Sequence, residues 1–370
     1  MARTLCWIAH RDPTHPSAGG AEKSILEIAR GLDRRGWTVH LLAGGYPGAS
    51  PQEQVGPIHV HRGKSPVSLH LELPSLLAEC GTFDVVVEDL GHVVPFLAER
   101  FVSAPGIVFF RHLHRRTLPG QVRPISANAL DAIERAYPFI YTRWPLVAPS
   151  TSALEDLEKL GFKTSRLQLI PYGVDSDTFR PGPLTDAPSL IHFSGLRAYK
   201  RAADAIDLMA QLRERGREAR LTIVGRGKEL DRLKDRARSL ALSSRVEFTG
   251  WIPEDDLASR VRQSWVHVQC STAEGWGLTA WEAAASGVPT VAYRVPGLVD
   301  SVEVGVTGLL VEDGNVDALT DSVVTVFQSR SEWTTRCRQS VALHSWDETS
   351  ARWDQLLRET ADGYVRRGTG

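Results

Sequence analysis

Two carboxylates, Glu274 and Glu282, bracket the run Glu274-Gly-Trp-Gly-Leu-Thr-Ala-Trp-Glu282, which continues into Ala283-Ala-Ala-Ser-Gly-Val-Pro-Thr290. Upstream, Val266-His-Val-Gln-Cys270 alternates as a strand entering a core does. Downstream, the alanine-rich stretch closes on Gly287, the pattern of a short helix and its stop. One carboxylate therefore sits on a glycine-rich loop and the other in the first helical turn. Between them lies a helix N-terminus whose N–H groups suit an anion. A carboxylate with no metal or base partner accepts hydrogen bonds from paired hydroxyls. A glycine-bearing helix N-terminus cradles phosphate. Together they suit a phosphorylated sugar. Glu282 has a second reading, because Thr279-Ala-Trp-Glu282 matches a capping box in which Glu282 satisfies the Thr279 N–H. Glu274 precedes the helix, beside Gly275 and Gly277, and has no such alternative.

The elements that must position these residues come from a chain of 370 residues, enough for two domains with full cores. With 43 basic and 44 acidic residues the formal charge is −1, which gives no sign of nucleic-acid binding or of an acidic tail. The opening Met1-Ala-Arg-Thr-Leu-Cys-Trp-Ile-Ala-His10 lacks a long apolar run, so no secretory signal is expected, and no stretch is long enough to span a bilayer. Cys6, Cys80, Cys270 and Cys337 are far apart with no Cys-x-x-Cys. Free, buried thiols in a cytoplasmic protein are expected, with no disulfide framework and no zinc site.

Strand-like and helix-like segments alternate throughout, the pattern of parallel sheets with crossover helices. Strands are expected at Leu5–Ala9, Thr38–Leu42, Phe83–Val87, Gly106–Phe110 and Leu146–Ala148. An amphipathic helix is expected over Ala21–Arg35, ended by Gly36. A second block starts near Leu190, with strands at Leu190–Phe193, Leu221–Val224, Val246–Phe248, Val266–Val268 and Thr290–Ala292 and helices over Arg201–Arg215 and Lys228–Leu242. Proline and glycine in Ile170-Pro-Tyr-Gly-Val-Asp175 and Phe179-Arg-Pro-Gly-Pro183 mark a linker. The expected domains are 1–175 and 176–346, with a final helix near 347–362 that packs back on the first. Two doubly wound α/β domains facing one another would bind ligands at strand carboxyl ends, in the crevice between them.

At this point the residues resemble the retaining, nucleotide-sugar-dependent glycosyltransferases of family 4, with the GT-B fold. The similarity runs nearly end to end: Gly19-Gly20-Ala-Glu22, Ile170-Pro-Tyr-Gly-Val-Asp175, Lys200-Arg201, Val224-Gly-Arg-Gly227, Phe248-Thr-Gly-Trp251 and the Glu-x7-Glu run. The resemblance implies sugar transfer from a nucleoside diphosphate with retention at the anomeric carbon, and no metal, cofactor or protein nucleophile. UDP is the first expectation for the donor and GDP the next, with a hexose-type sugar and a soluble acceptor hydroxyl. By position, Glu282 would hold the ribose, Glu274 the donor sugar, and Lys200 the diphosphate. The N–H groups around Gly275, Trp276, Gly277, Leu278 and Thr279 would meet sugar and diphosphate. Gly19 and Gly20 would bring a second helix N-terminus to the phosphates, and the Ile252 backbone would meet the base. Many relatives carry Gly-Arg-Leu-x-x-x-Lys where this chain has Ser194-Gly-Leu-Arg-Ala-Tyr-Lys200, so Gly195 stands at the arginine position; Arg197 and Arg201 are the candidate replacements, and Arg201 could equally open the next helix as a solvated residue.

A histidine near Phe110-Arg-His-Leu-His-Arg-Arg116 contacts the donor sugar in the family, and His112 matches better than His114. The arginines here either grip a phosphorylated or acidic acceptor or form a solvated loop. Trp276 either lines the sugar or packs, and Glu88-Asp89 could face a polyhydroxy or amine-bearing acceptor. A dinucleotide enzyme is excluded, because Val224-Gly-Arg-Gly-Lys-Glu-Leu230 has leucine where the third glycine belongs. A phosphorylase would need a pyridoxal phosphate lysine motif, and none is visible. The remaining alternatives are a GT-B nucleotide-sugar epimerase and a sugar-nucleotide-binding scaffold. The expected partners are a nucleotide sugar and a small-molecule or glycan acceptor, with no nucleic acid, in a monomer or homodimer.

Overall fold

The computed structural model describes residues 3–118, 124–341 and 344–368. Two compact units emerge: Met1–Arg115, Ile125–Gly173 and Trp346–Gly370 form the first, and Arg116–Pro124 with Val174–Ser345 the second. The first holds an eight-stranded sheet built from β1 (Arg3–Ile8), β2 (Trp37–Gly44), β3 (Gln52–Val55), β4 (Ile58–Gly63), β5 (Val85–Leu90), β6 (Gly106–Phe110), β7 (Leu146–Ala148) and β8 (Leu167–Leu169), in the order β3-β4-β2-β1-β5-β6-β7-β8. Its pairs are parallel except the β3–β4 hairpin at one edge. The helix Gly20–Asp33 buries Ile25, Ile28, Ala29 and Leu32 and begins one residue before Ala21. The terminal helix Trp346–Gly368 packs in this unit. Its Ser350 lies so near Gly31 that a Cβ there would meet Ser350 Oγ at 2.1 Å. Asp354 accepts from Trp37 Nε1 at 2.6 Å, and Asp347 pairs with Arg35 at 3.0 Å. Buried Trp353 completes the contact; burying such a side chain contributes a few kcal/mol.

The second unit is a six-stranded sheet with all its pairs parallel: β9 (Ser189–Phe193), β10 (Arg220–Val224), β11 (Val246–Gly250), β12 (Val266–Gln269), β13 (Thr290–Tyr293) and β14 (Gly308–Val311), ordered β11-β10-β9-β12-β13-β14. These strands send Leu190, Leu221, Ile223, Val266, Val268, Val291 and Tyr293 into one apolar core, while His192, His267 and Gln269 are buried polar residues on the same strands. The adjacency of β9 and β12 matters most. Leu190 lies beside Val266 and Ile191 beside His267, so the loops leaving the two strands emerge side by side. All four cysteines are free; Cys6, Cys270 and Cys337 are buried and Cys80 half-buried.

Candidate functional site

The loop after β9 carries Lys200 and the loop after β12 carries Glu274. Lys200 Nζ donates to Glu274 Oε1 at 2.5 Å across 74 residues of sequence. Both side chains are largely shielded, 13% and 12% exposed. The same oxygen accepts from Ser271 Oγ at 2.6 Å and from Gln269 Nε2 at 2.7 Å. Burial alone would lower the Lys200 pKa, but the Glu274 carboxylate outweighs it and holds the pKa above the ordinary lysine value. Lys200 is therefore an ammonium at neutral pH, with hydrogens beyond the one given to Glu274. Beneath it, buried His192 bridges the Val268 carbonyl and Ser194 Oγ at 2.9 Å each, and burial lowers its pKa to about 4. Gln269 and Ser271 were missed at the sequence level. The available signal was a glutamine inside the apolar run Val266-His-Val-Gln-Cys270.

The chain then enters the helix Leu278–Ala285 through Gly277, at φ 101°. A side chain at Gly277 would be strained there and would meet Ser301 Oγ at 2.6 Å. Gly277 is the N-cap and has no side chain to close the first helical N–H groups, which suits an anion. This corrects the capping-box reading. Thr279 already lies inside the helix, so Glu282 cannot cap it, and Thr279 Oγ1 is buried without a protein partner among the described residues. Glu282 is buried in the same helix. Gly275, Leu278 and Thr279 are half-buried at the helix mouth. Trp276 is buried against Trp281, ring centroids 5.4 Å apart, with Nε1 lacking a protein partner among the described residues.

The two candidate arginines separate. Arg201, at φ 44°, donates to the Cys270 carbonyl at 2.9 Å, pairs with Asp313 and lies 4.6 Å over the Tyr293 ring. It thereby ties the end of β12 to the loop after β14. Arg197 is exposed, and its positive charge works against that of Lys200. Ile252 follows β11, half-buried beside Trp251, which is 65% exposed under the Arg226 guanidinium at 5.8 Å. A cavity of about 600 Å³, lined by Arg197, Asp207, Glu229 and Arg236, runs along the helices Ala202–Glu214 and Leu230–Ser239 and includes neither Lys200 nor Glu274.

In the first unit, Gly19 caps the helix Gly20–Asp33, and its N–H donates to Glu22 Oε2 at 2.7 Å. Arg11 pairs with the other Glu22 oxygen at 3.1 Å. His112 and His114 are half-buried with rings 4.6 Å apart, and Glu134 accepts from the His114 N–H at 2.6 Å and lies 3.3 Å from its Nδ1. Arg111 is neither solvated nor free to grip a ligand. It is buried, paired with Asp89 at 2.6 Å, and donates to Ser24 Oγ and Tyr172 Oη. Glu88 and Asp89 likewise do not face an acceptor. Glu88 is wholly buried, accepts from the N–H groups of Phe96 and Ala98 and from Tyr141, and burial raises its pKa. Both carboxylates brace the sheet, because a charge inside needs partners. Among the described residues no group of three or more ligating side chains could hold a metal ion. No helix there is long and apolar enough to cross a membrane.

A lysine–carboxylate pair beside an open helix N-terminus, on the carboxyl edge of a parallel sheet, defines a doubly wound α/β protein whose charged loops lie where such sheets carry their ligands. Residues 175–341 match the family described as Glycosyl transferases group 1, and residues 18–178 match Glycosyltransferase Family 4. The chain belongs to the GT-B glycosyltransferases of family 4. The GDP-mannose-dependent alpha-(1-6)-phosphatidylinositol monomannoside mannosyltransferase of Mycobacterium tuberculosis is 30% identical over 53% of this chain and 55% of that protein. The D-inositol 3-phosphate glycosyltransferase of Nocardiopsis dassonvillei is 30% identical over 56% and 52%. The chain thus spans about half the length of the curated relatives it matches. The fold is shared with sucrose-phosphate synthase from Thermosynechococcus elongatus, at TM-score 0.83, 22% identity and 96% and 98% coverage. It is also shared with Anabaena HepE in complex with UDP-glucose, at TM-score 0.73, 18% identity and 98% and 100% coverage.

Proposed function

We propose that this chain moves a hexose-type sugar from a nucleoside diphosphate to an acceptor hydroxyl with retention at the anomeric carbon. The observation that carries this is the Lys200–Glu274 pair at the mouth of the helix Leu278–Ala285. Lys200 and the helix N–H groups match a diphosphate in charge and geometry, with Arg197 as the second cation. Glu274 and Glu282 match hydroxyls of the sugar and the ribose. As the bond from the anomeric carbon to the phosphate oxygen breaks, charge grows on the diphosphate. The acceptor oxygen bonds to the same face, and its proton passes to the departing phosphate oxygen. No protein nucleophile takes part.

The names of similar proteins support glycosyl transfer and include both GDP-linked and UDP-linked donors. Nothing among them favours an epimerase. The test is acceptor-dependent release of nucleotide from a nucleotide sugar, preceded by a thermal-shift series with UDP, GDP, ADP and dTDP. The tightest ligand at fixed concentration stabilises most. Release that ignores added acceptor, or an inverted product anomer, would overturn the reading.

A further inference from the structure

The hydrogen bonds that hold Glu274 all fall on one of its two oxygens. Oε1 accepts from Lys200 Nζ at 2.5 Å, Ser271 Oγ at 2.6 Å and Gln269 Nε2 at 2.7 Å. Gln269 Nε2 also donates to Ser271 Oγ at 3.0 Å, so the serine hydroxyl accepts from the amide and turns its own hydrogen toward Glu274. Three donors use up the acceptor capacity of Oε1. The other oxygen, Oε2, takes no hydrogen bond from the described residues and remains open to solvent, on a side chain 12% exposed. Gln269 itself is an unusual end for this strand. Val266 and Val268 enter the core from one face of β12, and Gln269 is fully buried on the other. Its Oε1 has neither solvent nor a hydrogen-bond partner among the described residues. An unmet buried polar atom is destabilising, and an apolar side chain of the same length would avoid it. What the amide does supply is a fixed donor to Glu274 and Ser271.

We propose that Gln269 and Ser271 are positioning residues for sugar recognition: they pin Glu274 by Oε1 and leave Oε2 as the single acceptor atom, which meets one hydroxyl of the donor sugar and not a neighbouring pair. This rests on the glycosyltransferase reading above. A carboxylate free at both oxygens forks two adjacent hydroxyls and turns to suit several sugars. Glu274 cannot turn about its Cγ–Cδ bond without breaking three hydrogen bonds, so it reads one position on the sugar ring. Both positioning residues leave the same strand end, Gln269 as the last residue of β12 and Ser271 two residues later, which places them on the rigid sheet. Rigid placement matters for rate as well as affinity, since a misplacement of about 1 Å costs roughly 100-fold.

Gln269→Met keeps the length of the side chain and removes the amide, and Ser271→Ala removes the hydroxyl. The whole protein and both variants are titrated calorimetrically with UDP, GDP, UDP-glucose and GDP-mannose, and with the 2-, 3-, 4- and 6-monodeoxy forms of whichever sugar nucleotide the wild type binds. In each variant the affinity for the free nucleotide should stay within about twofold, while the ratio of sugar-nucleotide to nucleotide affinity falls about tenfold. Gln269→Met should melt no lower than the wild type, because the unmet Oε1 is gone. One deoxy analogue alone should reproduce the loss, and with that analogue Gln269→Met should have no further effect, the signature of a shared interaction. An unchanged ratio, equal losses from two neighbouring deoxy positions, or a lowered melting point with nucleotide and sugar nucleotide weakened alike overturns the proposal. So does a wild type that binds UDP or GDP but neither sugar nucleotide. Failure of the wild type to bind either nucleotide instead overturns the donor reading.

Discussion

Glu274→Gln isolates the charge of the central carboxylate, because glutamine keeps its shape and one acceptor oxygen. In the wild type, Glu274 Oε1 collects Lys200, Gln269 and Ser271 within 2.7 Å. Without the negative charge a shielded ammonium is left facing amides. Removing one partner of a buried ion pair costs about 3–5 kcal/mol, and the retained oxygen puts this variant near about 3. For a unit of this size each kcal/mol moves Tm by about 2–4 °C, so a fall of about 6–12 °C is expected by calorimetry. The pH dependence has a definite sign. In the wild type the Lys200 pKa is raised, so its contribution is complete below the unfolded lysine value and is lost only as pH rises through the folded one. In Glu274→Gln the counter-charge is gone and burial dominates, so the folded pKa drops below the unfolded one. The deficit should therefore shrink as pH rises from 7 toward about 10. A nucleoside diphosphate supplies the missing charge, so UDP or GDP should stabilise the variant at least as much as the wild type, while sugar transfer collapses. A melting point within a degree of wild type, or lost nucleotide affinity with normal transfer, would refute this account of the pair.

Four further outcomes follow from the same geometry. Lys200→Ala should cut turnover roughly 100-fold or more with the fold intact by circular dichroism, since one preorganised charge on the leaving group is lost; near-normal turnover removes Lys200 from the chemistry. The double variant Lys200→Ala, Glu274→Gln should melt higher than Glu274→Gln alone, because the orphaned ammonium is gone. Glu282→Gln should weaken nucleotide binding about tenfold by calorimetric titration, with unchanged melting, and equal affinity would leave Glu282 a packing residue. Gly277→Ala should destabilise by about 1–3 kcal/mol in urea unfolding, from the φ of 101° and the clash with Ser301.

Much of the architecture was legible locally. β6 and β7 have the boundaries their apolar runs indicate, because Gly106, Pro105 and Pro145 punctuate them. The β3–β4 hairpin was not anticipated, since Gln52-Glu-Gln-Val55 is mostly exposed and carries no apolar alternation. The Thr279 cap failed because Gly277 takes up a left-handed conformation and starts the helix earlier than the threonine pattern suggested.

What the sequence determined by itself is the set of chemical actors: a lysine, two carboxylates and glycine-rich turns, each at the end of an apolar run. Those follow from periodicity and turn chemistry, which act over a few residues. Which actors meet was decided only by tertiary structure. Lys200 and Glu274 are 74 residues apart, and they touch because β9 and β12 are neighbours in the sheet. Arg111, Glu88 and Asp89 look as solvated or ligand-facing as any charged residues do in a sequence, yet the fold buries all three and pairs them internally. Burial and partnership of charge depend on strand order and helix packing, contacts that no local window of residues contains.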